Sequence, residues 1–418
     1  MRGPPSPVGP MVLLAVLSGF LAPPAFGQSP YFPAAGEDWE RRSPAEVGMD
    51  ADRLEQAVEF AIQEENPAPR DLELNHHMTF GRGEPFGDPV GPFKTRGEPT
   101  GIVVRNGYIV AEWGEPERVD PTFSVTKSFL STTVGLAYDQ GLIKSVEDPV
   151  GPAMAPVLPV SPECVHEPTM ASRGFPAGPS VFEPFAAEHN SGVTWDHLLR
   201  QTSDWEGTLW CKPDWADRPA SDTGEWTERA RHTPGTVYEY NDVRVNLLAL
   251  ASLNVWRAPL PEVLRHHVMD PIGASSTWRW YGYEDSWVVL DGRKVESVSG
   301  GAHWGGGMFI NARDLARFGY LTLREGRWGD ETILSQEWLR MAREPGAANP
   351  AYGHMNYFLN TDGEAIPGAP EEAFFHAGAG SNIVYVDPVH DLVVVVRWIR
   401  GGSRNEFIER VLASIQDN

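Results

Sequence analysis

What most restricts the fold of this chain is the placement of its strand-forming runs at opposite ends of the sequence. Gly101 to Trp113 (GIVVRNGYIVAEW) is two β-rich runs joined by Asn106-Gly107, a dipeptide suited to the left-handed backbone of a tight hairpin. Asn382 to Val386 and Asp391 to Ile399 (DLVVVVRWI) make a second pair around the turn residues Asp387-Pro388. Between these ends the periodicity is mostly helical. Asp50 to Ile62 sets Ala51, Leu54, Val58 and Ala61 at helical spacing, and Ser124 to Gln140 carries an apolar face and a stop at Gly141. Further helices are predicted from Thr194, over Asn241 to Val255 and Leu260 to Val268, after Asn311 and Ser335, and over Arg404 to Ile415. Asn66 to Thr100, rich in Pro and Gly, reads as a long surface loop. The pattern predicts an α/β (α+β) chain with an antiparallel sheet drawn from both chain ends and flanked by helices. Residues 28–149 and 290–418 would form that discontinuous sheet domain, with 150–289 as a mainly helical insertion. A cleft between two such bodies is a common place for a site.

Composition removes several function classes. The chain has 418 residues, 41% hydrophobic and 22% charged, which is too apolar for disorder and too polar for a membrane bundle. Its 57 Asp and Glu against 34 Lys and Arg give a net charge of −23, which disfavours nucleic acid and anionic membrane surfaces as partners. Met11 to Ala22 (MVLLAVLSGFLA) has the length of a signal-peptide apolar region, and Ala25-Phe26-Gly27 supplies the small residues of a cleavage site. Residues 1–27 are therefore expected to be a signal peptide, and the rest to be exported to the periplasm or beyond with no stable membrane anchor. The run is too short to span a bilayer.

Cys164 and Cys211 are the only cysteines, so one disulfide or two buried thiols are both compatible with the sequence. No C-x-x-C or H-E-x-x-H is present, and the pairs His76-His77 and His266-His267 diverge on any regular element. A Walker A loop, a G-x-G-x-x-G after a strand and a G-x-S-x-G elbow are also missing from the sequence. Neither a metal nor a cofactor is expected.

The sharpest local feature is Ser124-Val125-Thr126-Lys127, just after the first hairpin and at the head of an apolar-faced helix. Residues three apart share a helix face, so the amine can meet the hydroxyl. Serine is a weak nucleophile until a neighbouring base takes its proton, and a buried lysine can do that. The helix N-terminus adds backbone N–H groups near a developing oxyanion. A chance S-x-x-K is common, but this one uses one of only five lysines in the chain.

With its context, FSVTKSFLSTTVGLAYDQGLIKSVEDPV resembles the active-site helix of the serine β-lactamase and penicillin-binding-protein superfamily, in particular its class C-related esterase, D-peptidase and linear-amide hydrolase branch. Two more motifs stand in the order that resemblance implies. Pro234 to Asp242 (PGTVYEYND) is similar to the Tyr-x-Asn stretch, with Tyr240 as the tyrosine and Asp242 in place of the asparagine. His376-Ala377-Gly378 is similar to the Lys/His-x-Gly strand in its His form, and Gly301 to Leu323 to a structural Gly-Gly and Asp-Leu-Ala-Arg-Phe segment. The likeness covers roughly Asp50 to Ile415.

It implies a β-lactamase/transpeptidase-like fold and two-step acyl transfer. Ser124 would be the nucleophile, Lys127 and Tyr240 the proton-moving pair, and the N–H groups of Ser124 and Ala379 the oxyanion hole. Asp242, His376 and Gly378 would line the substrate side. The expected partners are small esters, amides or peptides. His376 and Asp242 in place of Lys and Asn make β-lactams less favoured than esters or small amides. D-amino-acid or cell-wall peptides, and a non-catalytic sensor or cell-wall binding role on the same fold, remain the alternatives. Two aromatic clusters, Trp205, Trp210 and Trp215 and then Trp278, Trp280, Tyr281, Tyr283 and Trp287, would either wall the cleft or pack loops.

Overall fold

A computed structural model of the chain describes residues 1, 3, 30–36, 39–165, 181–219 and 230–416. The expected signal peptide falls almost wholly outside the described residues. The chain from Tyr31 onward is one compact unit.

The first hairpin forms where Asn106-Gly107 puts it. Strands β1 (Thr100–Arg105) and β2 (Tyr108–Trp113) are antiparallel, and Asn106 and Gly107 turn the chain with φ of 54° and 88°. Strands β3 (Asp120–Pro121), β4 (Leu158–Pro159), β5 (Arg279–Leu290), β6 (Arg293–Val298) and β7 (Gly307–Ile310) follow, and then β8 (Phe358–Leu359), β9 (Phe374–Gly378), β10 (Asn382–Asp387) and β11 (Leu392–Arg397). The main sheet runs β8-β9-β10-β11-β1-β2, antiparallel throughout, so the last strand of the chain pairs with the first, Thr100 opposite Arg397. β11 is buried on both faces, as a run of Leu and Val requires. Leu392, Val394 and Val396 pack with helices α1 (Ala51–Gln63) and, at the chain's end, Arg404–Leu412; Val393 and Val395 join the core of the opposite face.

Three helices matter for the site: α2 (Leu72–Met78), and α3 (Thr126–Asp139) and α4 (Asp242–Trp256), which belong to that opposite face. α3 is buried from Thr126 to Ala137, and Lys127 is the single charge along that stretch. A charge in such a place needs a partner. α4 begins where Asn241 caps it, its side chain accepting from Arg244 N, and it is buried as far as Leu253.

A second sheet, β3-β7-β5-β4 with β6 on β5, lies beside the first. Arg397 of β11 is buried and donates to the carbonyls of Asp120, Pro121 and Ile310, tying the main sheet to the two strands that flank Ser124. Between 150 and 289 the chain is not helical throughout. Arg279–Leu290 (RWYGYEDSWVVL) is a 12-residue strand, because aromatic and β-branched residues favour a half-buried pleated surface. The expected surface loop before Thr100 also contains α2, capped by Asp71, whose side chain accepts from Glu73 N and Leu74 N. Among the described residues no helix is long and apolar enough to cross a membrane. Cys164 and Cys211 form a disulfide.

Candidate active site

Ser124 lies in a 3-10 turn, Phe123–Val125, that leads directly into α3. Two bonds pin this turn to β7: Thr122 N–H donates to the Met308 carbonyl, and Met308 N–H donates to Thr126 Oγ1, each at 2.9 Å. Phe123 has φ 48°, a left-handed backbone that a bulky residue adopts only under constraint from its surroundings. Ser124 is half-buried, and Lys127 Nζ stands 3.0 Å from its Oγ. The three-residue spacing read from the sequence therefore closes into a contact.

Lys127 is fully buried, and its charge is met by Asp242, whose Oδ1 is 2.6 Å from Nζ. Asp242 heads α4, so two helix N-termini converge here. Its other oxygen, Oδ2, is 2.7 Å from Arg218. Burial alone would raise the Asp242 carboxyl, but the Lys127 ammonium and the Arg218 guanidinium outweigh it and hold the group below the usual carboxylate range. Tyr240 completes the centre with its ring against both cations, 4.6 Å from Lys127 Nζ and 5.0 Å from the Arg218 guanidinium carbon. Gly301 lies against the ion pair. A Cβ there would fall 1.5 Å from Asp242 Oδ1 and 2.4 Å from Lys127 Nζ, so only glycine lets the loop pass.

The charges continue outward. Arg218 binds Asp217 Oδ1 at 2.6 Å and donates to His303 Nδ1 at 2.8 Å. A guanidinium only donates, so Nδ1 accepts, and Nε2 carries the proton that is given to Glu84 Oε2 at 2.7 Å. Burial, with Arg218 beside it, holds His303 well below its ordinary pKa and therefore neutral. Burial and the neighbouring Asp217 carboxylate push Glu84 up to about 7, and burial likewise raises Asp217. Glu84, Asp217 and His303 bring ligand-type atoms within 4.8 Å of one another, but Arg218 already bonds two of these side chains and supplies the positive charge.

The third motif is only partly as expected. Gly378 ends β9 against the Ser124 turn: a Cβ on it would lie 2.1 Å from the Thr122 carbonyl oxygen and 3.1 Å from Ser124 N. Ala379, the next residue, is exposed. His376 does not face the cleft. It is fully buried on the inner face of β9, Nδ1 lies 3.0 Å from Ser128 Oγ and 3.2 Å from the Asn356 carbonyl, and its ring packs on Tyr357. Burial lowers its pKa to about 3, so it is a neutral core histidine. Asp242, also expected on the substrate side, is fully buried with both oxygens committed to Lys127 and Arg218. A carboxylate there pairs with the lysine, whereas the amide of the resembled motif carries no charge. Of the two aromatic clusters, Trp205, Trp210, Trp278, Trp280 and Tyr283 are buried and pack, Trp215 and Trp287 are half-buried, and Tyr281 is exposed. Sequence reasoning missed Glu84, Asp217, Arg218 and His303. The one available signal was Asp242 itself, since a buried carboxylate flanked by a single lysine leaves room for a second cation.

A half-buried serine bonded to a buried lysine at the head of a helix, with a tyrosine ring on that lysine, is held on a sheet-and-helix scaffold. The scaffold itself recurs in solved structures. A hydrolase with promiscuous acyltransferase activity, EstCE1, is 16% identical with a TM-score of 0.52, covering 88% of this chain and 99% of its own. A penicillin-binding protein homologue from Caulobacter crescentus is 14% identical with the same TM-score and the same coverage of both chains. A putative D-alanyl-D-alanine carboxypeptidase from Escherichia coli O157:H7 is 21% identical over 215 residues, 42% of this chain and about half of that protein (49%). The chain belongs to the Beta-lactamase family, whose sequence model matches residues 101–412. Its structure has the β-lactamase/transpeptidase fold.

Proposed function

We propose that this protein hydrolyses a small ester or amide through an acyl-enzyme on Ser124. The observation that carries the reading is the 3.0 Å contact between Ser124 Oγ and Lys127 Nζ, made beside the Tyr240 ring at the point where Gly378 meets the serine turn. Ser124 Oγ attacks the carbonyl carbon while its proton passes to the Lys127–Tyr240 pair. The N–H groups of Ser124 and Ala379 hold the oxyanion. The carbon–oxygen or carbon–nitrogen bond then breaks, the leaving alcohol or amine takes that proton, and water releases the acyl group by the same route. The fold shared with a hydrolase of promiscuous acyltransferase activity is compatible with ester and small-amide substrates, and the partial likeness to a putative D-alanyl-D-alanine carboxypeptidase keeps D-peptides as the second reading. Export to an oxidising compartment belongs to the same proposal, supported by the apolar run Met11 to Ala22 and by the Cys164–Cys211 disulfide.

The test is covalent labelling with a fluorophosphonate, together with a panel of p-nitrophenyl esters, D-amino-acid amides and nitrocefin with acyl-enzyme detected by mass spectrometry. Labelling of wild type and its loss in Ser124→Ala is expected; undiminished labelling of that variant would sink the assignment.

A further inference from the structure

The ion pair behind Ser124 is the inner end of a larger connected set. Lys127 meets Asp242, Asp242 meets Arg218, Arg218 meets Asp217 and His303, and His303 meets Glu84, each at 2.6 to 2.8 Å. Apart from Arg218, these side chains are at most 5% exposed. The charges do not balance. Lys127 and Arg218 bring two positive charges against the three carboxyls of Asp242, Asp217 and Glu84, and His303 is neutral because its Nδ1 accepts from the guanidinium. The set is neutral only when one carboxyl keeps its proton, and an uncompensated buried charge is costly.

The contacts say which carboxyl that is. Asp242 has an oxygen on each cation, and Asp217 has Oδ1 on Arg218 and Oδ2 on the Asp242 N–H. Glu84 accepts only from uncharged donors, His303 Nε2–H at 2.7 Å and the Arg218 backbone N–H at 3.1 Å. The groups packed around it do not supply the missing charge. His76 on α2, its ring 6.3 Å from that of His303, gives its Nε2 proton to the Gly87 carbonyl, and burial holds it low and therefore neutral. Lys212, lowered to about 8 by burial, donates to the carbonyls of Phe86 and Asp88, and its charge faces the Asp88 carboxylate before that of Glu84. The rise of Glu84 to about 7, from burial and the Asp217 carboxylate, agrees with this assignment.

We propose that Glu84 is a positioning residue of the Ser124 centre: acting through His303, Arg218 and Asp242, its protonated carboxyl keeps the set neutral, and loss of that proton slows attack by Ser124. The inference rests on the acyl-enzyme reading and adds the group that sets its pH response. Attack places a negative charge on the carbonyl or phosphoryl oxygen beside Ser124. With Glu84 ionised the set already carries a net −1, and the interior screens the two charges poorly. The effect has the opposite sign to titration of the base, which raises the rate as pH rises.

The test is the rate of fluorophosphonate labelling from pH 6 to 8.5 in the full chain, wild type and Glu84→Gln. The amide is neutral throughout, so the rate of Glu84→Gln relative to wild type should rise by about fivefold or more across that range, with a midpoint near 7. The ratio cancels the titration of Lys212 and Tyr240 and hydrolysis of the probe, and a merely damaged fold would lower it equally at every pH. If Glu84→Gln does not fold, Asp217→Asn takes its place: it removes the carboxylate that holds the proton on Glu84, so the falling limb of the wild-type profile should move to lower pH. A ratio constant with pH, or a limb unmoved in Asp217→Asn, overturns the role of Glu84 while leaving Ser124 as nucleophile. Absence of Ser124-dependent labelling in wild type overturns both.

Discussion

At the scale of single residues, Asp242 decides the electrostatics of the centre. With an asparagine there, Lys127 and Arg218 would share the site without the carboxylate that lies 2.6 Å and 2.7 Å from them. Asp242→Ala should destabilise the fold by about 3–5 kcal/mol in urea unfolding, because it leaves a buried ammonium unpaired. Asp242→Asn, which keeps shape and one acceptor, should cost less. The network also predicts opposite pH responses. Glu84 binds its proton more tightly in the folded chain, about 7 against an ordinary 4.5, so its contribution is fully present below pH 4.5 and is lost as pH rises toward 7. Asp242 is held low, so its contribution is present above its ordinary 3.8 and is lost as pH falls below it. Melting temperature followed from pH 4.5 to 7.5 should therefore decline less in Glu84→Gln than in wild type; equal slopes would show that Glu84 is not the group responsible.

At the scale of elements, the regular pieces near the site were legible because each carried a local signal. Asn106-Gly107 marked the hairpin, Asn241 and Asn311 capped the helices that follow them, and the Leu and Val run of β11 marked a strand buried on both faces. Ser124, Lys127 and Tyr240 were legible as a set for the same reason, since a three-residue helical spacing fixes one contact and a motif order suggests the other. What was not legible came from long-range packing. A histidine before a glycine reads alike whether β9 turns it to the cleft or to Ser128, and only the face of the strand decides. Glu84, Asp217, Arg218 and His303 sit on three separate stretches, and no periodicity links them. Gly301 gives an element-scale prediction: Gly301→Ala would push a methyl into the Lys127–Asp242 pair. Fluorophosphonate labelling should slow by at least about tenfold, roughly 1.4 kcal/mol of lost activation, while far-UV circular dichroism is retained. Labelling at the wild-type rate would mean that the loop moves aside freely.

At the scale of the whole molecule, the disulfide joins Cys164 to the loop that continues into Asp214, Asp217 and Arg218. Closing a loop of 47 residues contributes about 2–4 kcal/mol on the usual chain-entropy account. Cys164→Ser with Cys211→Ser should lower stability by that amount and also slow labelling of Ser124, since Arg218 is held by that loop; unchanged labelling would separate the bridge from the site. The pairing of Thr100 with Arg397 reaches further, into how the protein is made. β1 sits inside the sheet between β2 and β11, and β11 is synthesised long after β1. Until then the growing chain holds a hairpin whose β1 edge lacks its partner strand. A chain halted before Leu392 should bind a hydrophobic dye and be cleaved readily by protease, and completing β11 should end both. Timing follows from topology here: the sheet beside the Ser124 turn is closed by a strand made long after β1, so Ser124 is in its final setting only once β11 has been made.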